Sequence, residues 1–86
     1  MKLIEQANVK LDDLQAAFDK FGKIVIGDWS PEPVADVGDM VVCNGGEARM
    51  MVTHLATREE FKQQREFYGL SMPDRPYVRF YGLEIE

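Results

Sequence analysis

Residues 37–55, VGDMVVCNGGEARMMVTHL, contain two β-prone runs that face each other across a pair of glycines. Glycine adopts positive φ angles without the steric cost that other residues incur. Asn44-Gly45-Gly46 is therefore the least strained place in the chain for a reversal of direction. We predict a β-hairpin here and treat it as the centre of the fold.

The predicted hairpin has one clearly apolar face. If the two glycines are the central turn residues, Val41 lies opposite Met50 and Cys43 lies opposite Ala48, and Val52 continues the same face. The other face carries Met40, Val42, Arg49, Met51 and Thr53. Because this second face is only half polar, we expect part of it to be covered by the first helix or by a partner. A shift of one residue in the turn would pair these positions differently.

Two other stretches have helical patterns. In the first, apolar residues recur three and four positions apart, at Leu11, Leu14, Phe18 and Phe21. Asn8 can cap the start of this helix, and Gly22 stands where a left-handed final residue is wanted. The second helix is predicted to begin at Thr57, which forms a capping box with Glu60, and to end at Gly69.

Short β-prone runs complete the secondary structure. Residues 23–26 and 77–81 are predicted strands, and residues 2–7 are either a first strand or a lead-in. The apolar set of the last strand changes parity near Gly82, which is suited to a bulge. We therefore predict one small α+β domain over residues 1–86, with two helices and a mainly antiparallel sheet of about four strands.

The charge of the chain is unevenly distributed. The formal net charge is −5, and residues 5–47 contain nine acidic but only three basic residues. This balance argues against generic binding to a nucleic-acid backbone, for which a basic stripe is the usual footprint. It favours a partner protein with a basic surface.

The sequence also bears on location and on metal chemistry. It has no run of eighteen or more apolar residues and no signal-peptide core after Met1, so we expect a cytoplasmic protein with no membrane partner. Cys43 is the only cysteine, which excludes an internal disulfide and gives no cysteine pair with metal-ligand spacing. We predict no metal site and no cofactor.

The segment between the second strand and the hairpin is the first candidate binding region. Its two prolines prevent a helix or a central strand, so we predict an acidic surface loop. Its candidate partner contacts are Asp28, Trp29, Glu32, Asp36 and Asp39. Tryptophan is a frequent interface anchor, but in a domain this small it more often fills the core, and both roles stay open for Trp29.

The last strand is the second candidate region. Arg75, Tyr77, Arg79 and Tyr81 alternate along it and are predicted to share one exposed face. Arginine and tyrosine on a sheet face can stack and pair with single-stranded bases, and they are also good protein-contact residues. The acidity of the chain favours contact with protein.

A family resemblance supports the nucleic-acid alternative. The stretch VGDMVV at residues 37–42, followed by a hairpin, a helix and a final aromatic strand, resembles the small PUA- and ASCH-type barrels. The resemblance implies an RNA-binding domain. It covers less than a quarter of the chain, and the Gly-x-Lys-Thr-like stretch expected ahead of it is absent.

Catalysis has one candidate side chain, His54, the only histidine. It can act as a general base or metal ligand, or simply close a strand as a polar residue. The predicted hairpin register places His54 well beyond the residue opposite Cys43, so a Cys-His dyad is not expected. We assign no catalytic residue and predict that the protein is not an enzyme, with a small hydrolase as the third hypothesis.

These observations favour a non-enzymatic, acidic protein-binding module. In its full form, the hypothesis is an inhibitor from a phage or mobile element that blocks a host nucleic-acid-binding protein with a nucleic-acid-mimicking acidic surface. The alternative is the PUA- or ASCH-like RNA-binding domain. No sequence pattern specifies an oligomeric state.

Overall fold

The hairpin predicted from residues 37–55 forms in the predicted register. In the computed structural model, which describes all residues 1–86, strand β3 (Met40–Cys43) runs antiparallel to β4 (Ala48–Leu55). Val41 pairs with Met50 and Cys43 pairs with Ala48. Gly45 and Gly46 adopt φ angles of 71° and 116°, which explains why glycine is favoured at this turn.

Five strands and two helices make up the fold. The remaining elements are β1 (Leu3–Gln6), helix α1 (Leu11–Phe21), β2 (Ile24–Asp28), helix α2 (Arg58–Phe67) and β5 (Arg79–Ile85). The sheet order is β1-β3-β4-β5-β2, with β1 parallel to β3 and every other pair antiparallel. The α+β class with two helices is confirmed, whereas the sheet has one more strand than predicted and is mixed.

The two helices cover opposite faces of this curled sheet. The larger core lies on the α1 side and includes Ala17 of α1 with Val52, Tyr81 and Leu83 of the central strands. A smaller cluster on the α2 side contains Val25, Phe61 and Phe80. Because α2 packs over β2 and β5, the same face of β1, β3 and β4 is left without a helix.

The two ends of α1 are capped differently, and one of them differs from the prediction. Gly22 is left-handed and donates its N–H to the Phe18 carbonyl, as predicted. The prediction of Asn8 as the N-cap is wrong, because Asn8 itself adopts a left-handed φ of 58° and the cap position is Lys10. The neighbouring Val9 N–H instead donates to the side-chain oxygen of Asn44, at 2.9 Å.

The predicted capping box of α2 is half formed. The Thr57 hydroxyl accepts the Glu60 N–H at 3.1 Å, but the Glu60 carboxylate lies 2.7 Å from the Lys23 ammonium group. This interaction with Lys23 lowers the pKa of Glu60. The carboxylate therefore joins α2 to the start of β2. At the other end of the helix, Gly69 has the positive φ expected of a stop signal.

The bulge lies in β4 and not in β5. The register shifts between Val52 and His54, so Thr53 is the extra residue and Gly82 keeps the regular alternation of β5. The predicted change of parity was wrong because both faces of β5 are covered, Phe80 by α2 and Leu83 by the α1 side. Glycine is needed at position 82 for packing, because the His54 ring lies directly over its Cα and in that position leaves no room for a side chain.

The outer edge of β2 is closed by one side chain. Gln64 of α2 accepts the Val25 N–H at 3.0 Å and donates to the Lys23 carbonyl at 2.8 Å. Its amide thus makes the bonds that a further strand would make. Sheet edges attract other strands, so this cap protects the β2 edge from unwanted pairing.

Gly27 is expected to be the glycine of the sheet least tolerant of a side chain. The Tyr77 ring lies against its Cα, and this ring packs against Phe61 and Phe80 with centroids 5.0 and 6.0 Å away. Gly27→Ala should cost about 1–3 kcal/mol of unfolding free energy, measured by urea denaturation, because three packed rings must shift.

Gly82→Ala is the matched control. The obstructing group there is the half-exposed His54 imidazole, which can rotate away, so the loss should be smaller. A larger loss for Gly82→Ala than for Gly27→Ala would contradict this interpretation.

Candidate binding surface

Asp28 lies inside the protein, with 7% of its surface exposed. Its carboxylate accepts the Ser30 N–H at 2.8 Å, the Val34 N–H at 3.4 Å and the Tyr81 hydroxyl at 3.3 Å. The Arg79 guanidinium lies 3.6 Å away. Asp28 therefore holds the loop of residues 29–39 against the sheet, and the expectation that it faces a partner was wrong.

Asp39 has a similar internal position and is 5% exposed. It accepts the backbone N–H groups of Lys2 and Asp36, at 2.9 and 2.8 Å. These two hydrogen bonds lower its pKa because they stabilise the charged form. Of the four acids predicted to contact a partner, only Glu32 and Asp36 are exposed, because the other two bind backbone groups that would otherwise lack partners.

The lowered pKa of Asp39 predicts a pH dependence of stability. A carboxyl group with a depressed folded-state pKa contributes stability above its unfolded value of about 3.9, and this contribution is lost as the pH falls through the folded-state pKa. The difference in melting temperature between wild type and Asp39→Asn should therefore shrink from about pH 6 to about pH 2. Asp36→Asn is the control, because it leaves the backbone N–H that donates to Asp39 in place. A difference in melting temperature for Asp39→Asn that does not change with pH would contradict the lowered pKa of Asp39.

Trp29 is on the surface, with 56% of it exposed. Its indole ring is covered on one side by the Arg75 guanidinium, whose central carbon lies 4.7 Å from the ring centroid. A cation-π contact at an exposed site contributes on the order of 0.5–1 kcal/mol. The structure thus decides between the two roles considered for Trp29, and it does not fill the core.

The predicted arginine-tyrosine face does not form. Strand β5 begins at Arg79, so Arg75 and Tyr77 lie in the loop before it. Tyr81 is completely buried on the α1 side of the sheet, and Tyr77 packs into the cluster under α2. Burial, followed by the nearby Asp28 charge, raises the pKa of Tyr81. The exposed arginine-tyrosine face, one of the two observations behind the RNA-binding hypothesis, is therefore not present.

Arg79 remains at the surface but is firmly held. Its guanidinium donates to the carbonyl oxygens of Ser30 at 2.7 Å and Pro31 at 2.9 Å. Together with the Asp28 contact, these bonds fix an arginine that would otherwise be mobile. The charge is preorganised, so contacting it costs a partner little side-chain entropy.

Three exposed apolar residues surround Arg79, and sequence reasoning missed them. Leu55, Val37 and Val78 are 68%, 59% and 55% exposed. Leu55 and Arg79 are shared by two adjoining depressions of about 420 and 320 Å³, the first also lined by Val37 and Asp36 and the second by Val78. We call Val37, Leu55, Val78 and Arg79 the Leu55 surface.

His54 and Cys43 lie on opposite sides of the sheet. Cys43 is completely buried in the α1-side core, and burial raises the pKa of its thiol, which disfavours the nucleophilic thiolate. The His54 Nδ1 lies 2.8 Å from the Thr53 hydroxyl, next to α2. No group of three or more histidine, cysteine, aspartate or glutamate side chains is arranged to hold a metal ion.

Comparison with known proteins gives no match to a protein family, to a curated protein or to a solved structure. Neither helix combines the length and the apolar character needed to cross a membrane.

Proposed function

We propose that this protein is a non-enzymatic protein-binding module that docks its partner on the Leu55 surface. The observation that carries the proposal is the convergence of three large exposed apolar side chains around one immobilised arginine. Isolated exposed apolar residues are ordinary in proteins, whereas a contiguous group with a polar rim is typical of interaction sites.

The composition of this surface fits a protein partner. Its centre is apolar, Arg79 supplies a fixed positive charge, and the exposed carboxylates of Asp36 and Glu32 lie on the adjoining loop. Trp29 belongs to the same loop, which Arg79 holds through the carbonyls of Ser30 and Pro31. Tryptophan and arginine are enriched among the residues that dominate binding energy at interfaces.

The proposal extends to the type of partner, a cytoplasmic protein with a basic surface that handles nucleic acid. The net charge of −5 supports it, and so does a second, predominantly acidic group near the hairpin turn, where Asp12, Asp13 and Glu47 line one depression together with Lys10. The two acidic regions lie near opposite ends of β4, a strand about 24 Å long at 3.4 Å per residue. A partner that contacts both must span the sheet, as a nucleic-acid-binding groove can. Inhibition of such a host protein by a phage or mobile-element product is part of this proposal.

Site-specific photo-cross-linking tests the proposed surface. A benzophenone amino acid is introduced at Leu55 or at Gln63, an exposed position on α2, and the protein is irradiated in cells that naturally produce it. Position 55 should give a discrete adduct that mass spectrometry identifies, and position 63 should not. Adducts at position 63 without any at position 55 would overturn the proposal.

The partner type is tested separately with the captured protein. The captured protein should bind nucleic acid, and this module should compete with the nucleic acid for it. The competition should be weaker at high salt, because salt screens the acidic contacts. A captured partner whose nucleic-acid binding is unaffected would remove the inhibitor part and leave the docking surface in place.

A further inference from the structure

The outer edge of β1 carries unpaired backbone groups. The Met40 N–H donates to the Lys2 carbonyl, and the Asn44 N–H donates to the Gln6 carbonyl. These bonds show that the even-numbered residues of β1 bond to β3. Since backbone groups alternate in direction along a strand, the N–H and C=O of Leu3 and Glu5 point away from the sheet. No side chain of the protein bonds to them.

The two edges of the sheet are therefore treated differently. Gln64 closes the β2 edge with two hydrogen bonds, whereas nothing closes the β1 edge. Proteins usually block free edges with bulges, prolines, inward-facing charges or a covering segment. Strand β1 has no proline and no bulge, and it pairs with β3 in regular register.

The side chains on the helix-free part of the α2-side face form an apolar row that ends at this edge. Leu3 pairs with Met40, and Met40 pairs with Met51, so the three residues lie side by side across β1, β3 and β4. Met40 is buried between the other two, but Leu3, at the open end, is 63% exposed. The row would be completed by another apolar side chain opposite Leu3.

We propose that a second copy of this chain pairs antiparallel along the β1 edge, with Leu3 opposite the Leu3 of the second copy. Both Leu3 residues then exchange two backbone hydrogen bonds across a two-fold axis. The five-stranded sheets merge into one of ten strands. The apolar row continues across the axis, and each copy supplies the side chain that the other lacks.

The apolar row and charge together select this register among the antiparallel alternatives. With Leu3 opposite Leu3, the two Glu5 residues are four positions apart along the paired strands, about 14 Å at 3.4 Å per residue. A slide of two residues would set Leu3 opposite Glu5 and break the apolar row, and a slide of four would set the Glu5 carboxylates directly opposite each other, where like charges are destabilising. A partner strand of another protein would have to match the apolar row by coincidence, whereas a second copy matches it by symmetry.

The contact is small, so association should be weak. A four-residue strand buries much less surface than a stable interface requires, and the monomers carry like net charge. We expect dimers at roughly 0.1 mM protein and above, and monomers at about 10 µM. The inference is independent of the Leu55 surface.

Amide hydrogen exchange combined with sedimentation tests the pairing. In the dimer, the Leu3 and Glu5 amides should exchange about fourfold more slowly at 1 mM than at 10 µM, the change in monomer fraction for a dissociation constant of about 0.1 mM, whereas Ile4 and Gln6, already bonded within the monomer, should change little. Protection of Ile4 and Gln6 alone, or a monomer at 1 mM, would overturn the proposal.

Two variants at one position separate the backbone contact from the fold. Leu3→Pro removes an N–H that the monomer does not use, so the protein should remain folded and become monomeric at 1 mM. Leu3→Val keeps the N–H and an apolar side chain and should still dimerise. Dimers of Leu3→Pro would place the interface elsewhere and refute the proposal, and if that variant fails to fold, the exchange rates of the wild-type amides still decide.

Discussion

Asp28→Ala is expected to lower the free energy of unfolding by about 3–5 kcal/mol, which is most of the stability of a domain this small. The substitution removes the acceptor of two loop amides and of the buried Tyr81 hydroxyl, and it leaves the Arg79 guanidinium without its carboxylate. Urea denaturation measures the loss. Arg79→Lys is a second variant, which retains the positive charge but lacks the planar guanidinium that donates two hydrogen bonds.

Asp28→Asn is the matched control because it retains the shape of the side chain and one oxygen acceptor. Its loss should be smaller, about 1–2 kcal/mol, since the amide nitrogen cannot accept the remaining hydrogen bonds. Equal losses for the two variants would contradict this account, because the volume and the oxygen acceptor that asparagine retains would then contribute nothing to stability.

Leu55→Asp is expected to weaken partner binding by at least about thirtyfold, the change that corresponds to 2 kcal/mol at the centre of an interface. The fold should be unaffected, because Leu55 is 68% exposed and makes few contacts in the free protein. Isothermal titration calorimetry with the purified partner identified by cross-linking measures the affinity. The melting temperature of the variant checks its fold.

Two control variants test whether the effect of Leu55→Asp comes from a local contact. Leu55→Met keeps an apolar side chain of similar volume and should bind nearly as well as wild type. Gln63→Asp introduces the same charge on the exposed side of α2 and should not reduce binding. A comparable loss for Gln63→Asp would indicate a general effect of charge instead of a local contact.

Local signals in the sequence were sufficient for the hairpin and for most of the helix ends. The glycine pair and the period-two pattern defined the β3-β4 register, and the Thr57 hydroxyl and Gly22 marked helix ends as predicted. These features depend on residues close in the chain. Parallel pairing of β1 with β3 joins segments about 37 residues apart, and no local pattern distinguishes it from a lead-in.

The candidate site was harder to predict because side-chain exposure is a property of the tertiary structure. Tyr81 is buried because β5 lies between two other strands with both of its faces covered. Asp28 and Asp39 point inward because loop amides need acceptors, and an acid that satisfies them has the same sequence signature as a solvated one.

The Leu55 surface left only a faint trace in the sequence. Val37 lies in the turn before β3 and Leu55 is the last residue of β4, so both lie outside the alternating pattern that marks the core. Val78 comes from a segment more than twenty residues further along the chain. Only the antiparallel pairing of β4 with β5 brings Leu55 beside Val78 and Arg79.

The most direct test of the docking surface is a methyl NMR titration of this protein with its captured partner. The proposal predicts that the largest shift changes occur at the methyl groups of Leu55, Val37 and Val78, while those of Leu3 on the β1 edge stay in place. Shift changes concentrated on α1 or on the β1 edge, with the Leu55 methyls unchanged, would contradict it.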